Sequence, residues 1–334
     1  MATPLQPPAV PSPGPAADPA QPGPVPVRRR LRFDPVWLTF LVLLLLWVYS
    51  LVRVEGFRTV DYNLFTLRVA AFLGIVAAGQ TLVVLMGGID LSVAAVVTMA
   101  GVVGGNLIAT VGEAPAIGLT LAIAALIGAI NGLGVVVLRL PPLVMTLASL
   151  SVIQGVLLVY NAGKPVSGVS AFLNFWALGF LLRLPTPVWV LALVSLVCVV
   201  LLQRTAYGRA VYAIGNNPRA AFLSGVPIGA VQVATYALSG LFAGIAGLLI
   251  LGRTGYSSKT AGDPFLLMSI AAVVVGGTSI LGGRGKFVGT IGGALLLTVL
   301  VNVLTVENIP EAGRMIVQGA LILALLIAYA STEE

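Results

Sequence analysis

The run LVVLMGGIDLSVAAVV, residues 82–97, sets one carboxylate, Asp90, inside an almost unbroken apolar stretch, directly after two glycines. A lone charge in hydrocarbon is costly, so such an acid either works in a transport pathway or lies where something else compensates it. Gly87 and Gly88 can end one helix, because glycine takes the left-handed conformation at a helix C-terminus at little cost. Asp90 can then accept free amides at the start of the next helix, facing its positive end. If this turn lies on the cytoplasmic side, water or a partner solvates the charge there. Three roles stay open for Asp90: a cap, a gate or partner contact together with Gly87, Gly88 and Ser92, or a ligand for solute within the bilayer.

The rest of the chain decides what surrounds that turn. Of its 334 residues 58% are hydrophobic and only 9% charged, where a soluble domain is about a quarter charged. Too few charges remain to cover a water-facing surface, and the expected class is an all-α integral membrane protein. Four of the cations behind the net charge of +7 sit in RRRLR, residues 28–32, just ahead of the first apolar run. That is the positive-inside pattern and not a nucleic-acid footprint. Histidine is absent and Cys198, in an apolar run, is the single cysteine. An intramolecular disulfide, a Cys/His zinc site, a Ser-His-Asp triad and a Cys-His dyad are thereby excluded.

A spanning helix needs about 20 mainly apolar residues. About ten segments qualify, near 36–52, 67–86, 90–110, 114–138, 142–160, 186–202, 229–252, 264–281, 287–305 and 312–330. With a cytoplasmic N-terminus and alternate crossings, ten Lys and Arg fall inside and eight outside. The bias is slight, but the dense cluster beside the first helix dominates orientation. An even number of spans returns the C-terminus to the cytoplasm. Residues 1–32 read as a separate disordered cytoplasmic tail with a basic end, ahead of a membrane domain over 33–334, because residues 1–27 hold ten prolines and neither Lys nor Arg.

Small residues recur at close spacing in GVVGG (101–105), GLFAGIAG (240–247) and GTIGG (289–293). Glycines every third or fourth residue let helix backbones approach closely. LMGGIDLSVAAVVTMAGVVGG (85–105) and VVGGTSILGGRGKFVGTIGG (274–293) share a GG turn with G-x-x-G-G thirteen to fourteen residues after its first glycine. This suggests two related halves, as transporters often have, and places Gly276 and Gly277 beside Gly87, Gly88, Asp90 and Ser92 as a second cytoplasmic turn or gate.

GGTSILGGRGK (276–286) is not a phosphate loop: Phe287 follows Gly285-Lys286 and Ile280 stands where the first glycine belongs. No ATP site is visible in the chain. Gln80, Asn106, Asn131, Gln154 and Asn302 lie within the apolar segments. Such amides can bond helix to helix. As a set they also suit a pathway for a neutral polar solute better than one for an ion, which needs ionisable groups.

The segment QRTAYGRAVYAIGNNPRAAFLSGVPI (203–228) holds Arg204, Arg209 and Arg219 and no acid. Asn217-Pro218 is a helix start, with Asn as cap and Pro in the first turn, and Gly225 is a stop. The spacing predicts a helix of about two turns over 218–224, presenting Phe222 and Leu223. In a cytoplasmic loop it either lies on lipid or docks in a partner's groove.

GGIDLSV, YGRAVYAIGNNPRAAFLSGV and VVGGTSILGGRGKFVGTIGGALLL, in that order, resemble the membrane permeases of bacterial ABC importers for simple sugars, of the ribose, xylose and galactose type. The resemblance runs from about residue 36 to 330. It implies an importer in the bacterial cytoplasmic membrane, with a second permease copy or close paralogue, a partner with ATP-binding cassettes that carries ATP-Mg, and an extracytoplasmic sugar-binding protein. It implies no cofactor and no catalysis in this chain, and no nucleic acid. It also implies that Arg209, Asn217, Pro218, Arg219, Phe222, Leu223 and Gly225 belong to the loop that couples to the ATPase. The chain departs from the family pattern at Ala94, where glycine is usual. It departs also at Asn216, Arg219 and Phe222, which replace a commoner glycine, acidic residue and basic residue. A nucleoside or polyol permease is a related alternative. An ion-coupled carrier working alone is the rival from another class, and it requires Asp90 as the coupling group.

Overall fold

The computed structural model describes residues 35–162, 164, 166–167 and 169–333, and side chains up to 325 together with that of Ile327. The proline-rich tail and its basic end, 1–32, lie outside the described residues. The described residues are almost wholly helical: α1 Pro35–Arg53, α2 Val60–Leu85, α3 Val93–Val111, α4 Glu113–Val137, α5 Pro142–Asn161, α6 Ala171–Leu178, α7 Thr186–Arg204, α8 Ala206–Asn216, α9 Pro218–Leu223, α10 Ile228–Thr254, α11 Asp263–Val275, α12 Phe287–Val306 and α13 Glu311–Glu333. Among the described residues strand structure is confined to two-residue pairs, Val166–Ser167 with Tyr256–Ser257 and Phe180–Leu181 with Leu184–Pro185.

Eight helices among the described residues are long and apolar enough to cross a membrane: α1, α2, α3, α4, α5, α7, α10 and α12. The span expected over 264–281 is shorter than the sequence suggested. It ends at Val275 after 13 residues, because the Gly276-Gly277 turn closes it. The tenth expected segment, 312–330, falls within α13.

Two helices form the core. α2 is buried almost continuously from Ala70 to Leu85, and α10 packs across it and against α3 and α4. Both are apolar on all sides, as a helix enclosed by others must be. The small-residue spacing explains how close α10 and α4 come. A Cβ at Gly240 would run into the Ala124 carbonyl, and one at Gly128 into the Tyr236 carbonyl. α5 is the opposite case: only Thr146 and Leu157 are buried along its 20 residues.

The two GG turns have the same backbone. Gly87 has φ +77° and Gly277 φ +84°. In the first, Gly87 donates to the Val84 carbonyl (2.8 Å) and Gly88 to Val83 (3.1 Å). In the second, Gly277 donates to Val274 (2.8 Å) and Thr278 to Val273 (3.2 Å). Both are Schellman endings, with glycine in the left-handed position where a side chain would be strained. The correspondence that the sequence suggested between 85–105 and 274–293 holds at these turns.

Candidate functional site

The GG turn of α2 aims Asp90 into the protein. Asp90 is fully buried, not turned to water as the sequence suggested. Its Oδ1 accepts the Ser92 backbone N–H at 3.0 Å and the Ser92 hydroxyl at 2.6 Å, and its Oδ2 accepts the Ser239 hydroxyl of α10 at 2.8 Å. Asp90 thus satisfies one amide ahead of α3 while Ser92 occupies the cap position itself. Around it the network continues. Asn131 of α4 donates from Nδ2 to the Ser92 hydroxyl (2.8 Å), and Ser149 of α5 donates to Asn131 Oδ1. The Gln80 amide, oriented to satisfy both ends, donates to the Asp90 carbonyl (3.1 Å) and accepts from the Asp90 N–H (3.3 Å). Thr146 of α5 accepts from Leu91 N–H (3.1 Å) and donates to the Ile89 carbonyl (3.2 Å). A buried carboxylate is tolerated when donors surround it, and here four helices and the N-cap of α3 supply the network that encloses this one.

The loop between α7 and α10 is more ordered than the sequence suggested. Thr205 caps an additional helix, α8, its hydroxyl accepting from Gly208 N–H at 3.3 Å. α9 follows as expected: Asn217 Oδ1 accepts from Ala220 N–H at 3.1 Å, Pro218 takes the first turn, and Gly225 ends the segment with φ +79°. Phe222 and Leu223 are 69% and 79% exposed. Arg209 and Arg219 are exposed as well.

α8 connects this loop to both turns. Gly215 packs against the Leu85 carbonyl and Gly283. Asn216 Nδ2 donates to the carbonyls of Tyr212 (2.8 Å) and Gly283 (3.2 Å). Gly283 in turn donates to the Leu85 carbonyl (2.8 Å), and the Tyr212 hydroxyl donates to the Gly285 carbonyl (2.9 Å). Tyr207 bonds Thr235 of α10 at 2.6 Å, and burial pushes its phenol up to about 12. The end of α2, the 276–286 loop and the entry to α9 therefore form one assembly beside the Asp90 network.

The five amides divide among several places. Gln80 and Asn131 join the Asp90 network. Asn106 donates to Asn161 Oδ1 at 3.4 Å, tying α3 to α5. Asn302 donates to Thr66 at 3.0 Å, tying α12 to α2. Gln154 is exposed on α5. Sequence reading missed Ser239, Tyr236, Thr146 and Ser149 altogether, since a lone serine, threonine or tyrosine in an apolar helix carries no local signal. Asn216 was visible only as a departure from a pattern.

Comparison with known proteins sets this geometry in a family. Residues 62–326 match the family described as branched-chain amino acid transport system / permease component. The chain belongs to this permease family. It is 36% identical over 306 residues to the ribose import permease protein RbsC of Bacillus subtilis (strain 168), covering 90% of this chain and 95% of that protein. It is 39% identical over 245 residues to the fructose import permease protein FrcC of Rhizobium meliloti, covering 70% and 68%. With the autoinducer 2 import system permease protein LsrC of Escherichia coli (strain K12 / DH10B) it shares 33% over 259 residues, covering 77% and 76%. No solved structure matches. The permease is thus a multi-pass membrane protein, and the resemblance read from three motifs holds over residues 62–326.

Proposed function

We propose that this permease is the membrane-spanning subunit of an ATP-driven importer that carries a monosaccharide or similar neutral polar solute across the bacterial cytoplasmic membrane. A second permease copy, a protein with ATP-binding cassettes and an extracytoplasmic sugar-binding protein complete the transporter, and both termini of this chain lie in the cytoplasm. The names of the ribose and fructose permeases support the sugar, although the family's description speaks of amino acids.

The observation that carries the coupling role is α9: a capped six-residue helix with Phe222 and Leu223 side by side and exposed. Two adjacent large apolar residues on so short a helix suit a groove on a partner. ATP-driven closure of the cassettes would push α9. The push would reach α10, which starts four residues after Ser224, and through Asn216 the loop at 276–286. Ser239 and Asp90 would then carry it from α10 to the α2–α3 turn. No covalent step falls to this chain.

The test is co-expression with a candidate cassette protein and purification through a tag on the permease. Co-elution is expected, and Phe222→Asp with Leu223→Asp should abolish it and ATP-dependent sugar uptake together. Failure to co-elute, or unchanged co-elution of the double variant, would overturn the docking role. Uptake that follows an ion gradient and survives loss of the cassette protein would favour a carrier working alone.

A further inference from the structure

At the far end of α2 from the GG turn, two arginines meet. Phe65, Arg68 and Phe72 are spaced three and four apart on α2 and share one face. The guanidinium of Arg253, in the last turn of α10, lies 5.8 Å from the Phe65 ring and 5.7 Å from the Phe72 ring. It therefore stands beside Arg68, and the two like charges repel. Arg68 is anchored on its other side: its Nη2 donates at 2.8 Å to the carbonyl of Leu178, the last residue of α6, and its Cζ lies 5.0 Å over the Phe180 ring.

Among the described residues neither arginine has a carboxylate partner, Arg253 makes no hydrogen bond, and the buried Nε of Arg68 finds no acceptor. Two guanidinium groups carry ten N–H donors, and only one is used by the protein. Cation–π contacts with three rings hold the charges in place but cannot satisfy N–H groups. The rim is apolar and open: Phe65 and Phe180 are 39% and 53% exposed. Arg253 lies in the last turn of α10 and Arg68 in the third turn of α2, from where a long side chain reaches up to headgroup level.

We infer that Arg68 and Arg253 together bind a phosphate group. The guanidinium forks match phosphate oxygens in geometry and charge. The exposed aromatic side chains beside them fit an acyl chain, which makes the headgroup of an anionic phospholipid the source.

Native mass spectrometry of the purified permease, titrated in turn with phosphatidylglycerol, with diacylglycerol and with inorganic phosphate, tests this. Wild type should retain phosphatidylglycerol over diacylglycerol. Arg68→Gln and Arg253→Gln should each weaken retention by about tenfold or more, the loss of a charge-assisted contact. Arg68→Lys and Arg253→Lys, which keep the charge, should fall between, and Arg53→Gln, at the exposed end of α1, should bind as wild type. If a Gln variant does not fold, the Lys pair still decides. Arginine-dependent binding of inorganic phosphate without lipid retention would keep the phosphate site and replace its source. Equal retention by wild type and all variants, with no phosphate binding, would overturn it and leave the pair to a protein carboxylate.

Discussion

Ser239 of α10 and Asp90 of the α2–α3 turn, 149 positions apart in the chain, are joined by a 2.8 Å hydrogen bond in which the serine donates. This contact fixes the turn to the helix that leads directly out of the 203–228 segment. Asp90→Ala would leave the Ser92 N–H, the Ser92 hydroxyl and the Ser239 hydroxyl without their acceptor in a dry interior. Each such group costs about 1–3 kcal/mol, so a clear loss of thermal stability is expected, with transport lost too. Asp90→Asn keeps one carbonyl oxygen and the side-chain volume, and its effect on stability should be less than half as large. A thermal-melt series in detergent reads the difference. Equal, severe loss of transport in both variants with stability preserved in Asn would assign the role to the charge itself.

The Asn216 side chain links the entry to α9 with the 276–286 loop through the Gly283 carbonyl, at 3.2 Å. Asn216→Ala removes this link but leaves α8 and the Asn217 cap in place. The stability cost should be small, about 0.5–1.5 kcal/mol. The functional cost should be larger: ATP hydrolysis by the assembled transporter continues while solute uptake per ATP falls. Measuring both rates in proteoliposomes checks this, and an unchanged ratio would show that α8 carries no coupling. The same contact makes Gly283 intolerant, since a Cβ there lies 2.7 Å from Asn216 Oδ1 and φ is +72°.

The parts of this architecture that were legible in sequence are those whose cause is local. Gly87 and Gly277 end helices because of their own backbone freedom, and Asn217, Pro218 and Gly225 bound α9 because a cap, a first-turn proline and a left-handed stop act within a few residues. The long apolar segments announced the spanning helices for the same reason. The 13-residue length of α11 needed its glycine turn to be weighed against a hydropathy that runs on past it. The environment of Asp90 was only partly legible: Ser92 lies two residues away, but Asn131, Thr146 and Ser239 come from α4, α5 and α10, between 39 and 149 residues from the residues they bond. Read locally, the carboxylate needs water; in the fold, Ser92 and one serine hydroxyl from a distant helix replace it. α8 was missed although its Thr205 cap was present, since threonine is too common in loops to mark a helix start by itself.

Glycine substitutions separate packing from propensity. Gly240 of α10 has no room for a side chain, because a Cβ would meet the Ala124 carbonyl of α4. Gly240→Ala must push two core helices apart and should cost about 1–3 kcal/mol. Gly319 of α13 has nothing within 4 Å of a built Cβ, and Gly319→Ala should be neutral or stabilising by up to about 1 kcal/mol, through helix propensity and a less flexible unfolded chain. Paired melting curves test both, and equal shifts for the two variants would refute the close approach of α4 and α10.

Tyr236 is a further polar group that α10 turns toward the GG turn. It is 1% exposed, its hydroxyl has no hydrogen-bond partner, and a Cβ at Gly88 would lie 2.8 Å from that oxygen. A buried hydroxyl that bonds nothing opposes folding, so Tyr236→Phe should leave stability unchanged or raise it by about 1 kcal/mol. Gly88→Ala alone should destabilise, since the added methyl meets both the hydroxyl and a Val83 methyl at 3.1 Å. In the Tyr236→Phe background part of that clash is gone, and the two substitutions should couple by about 0.5–3 kcal/mol in the favourable direction. The double-mutant cycle, read by thermal melts, measures the coupling directly. A loss of more than about 1 kcal/mol in Tyr236→Phe alone would mean that the hydroxyl does bond a group in the working protein, and a fall in uptake with stability intact would place that group in the transport cycle.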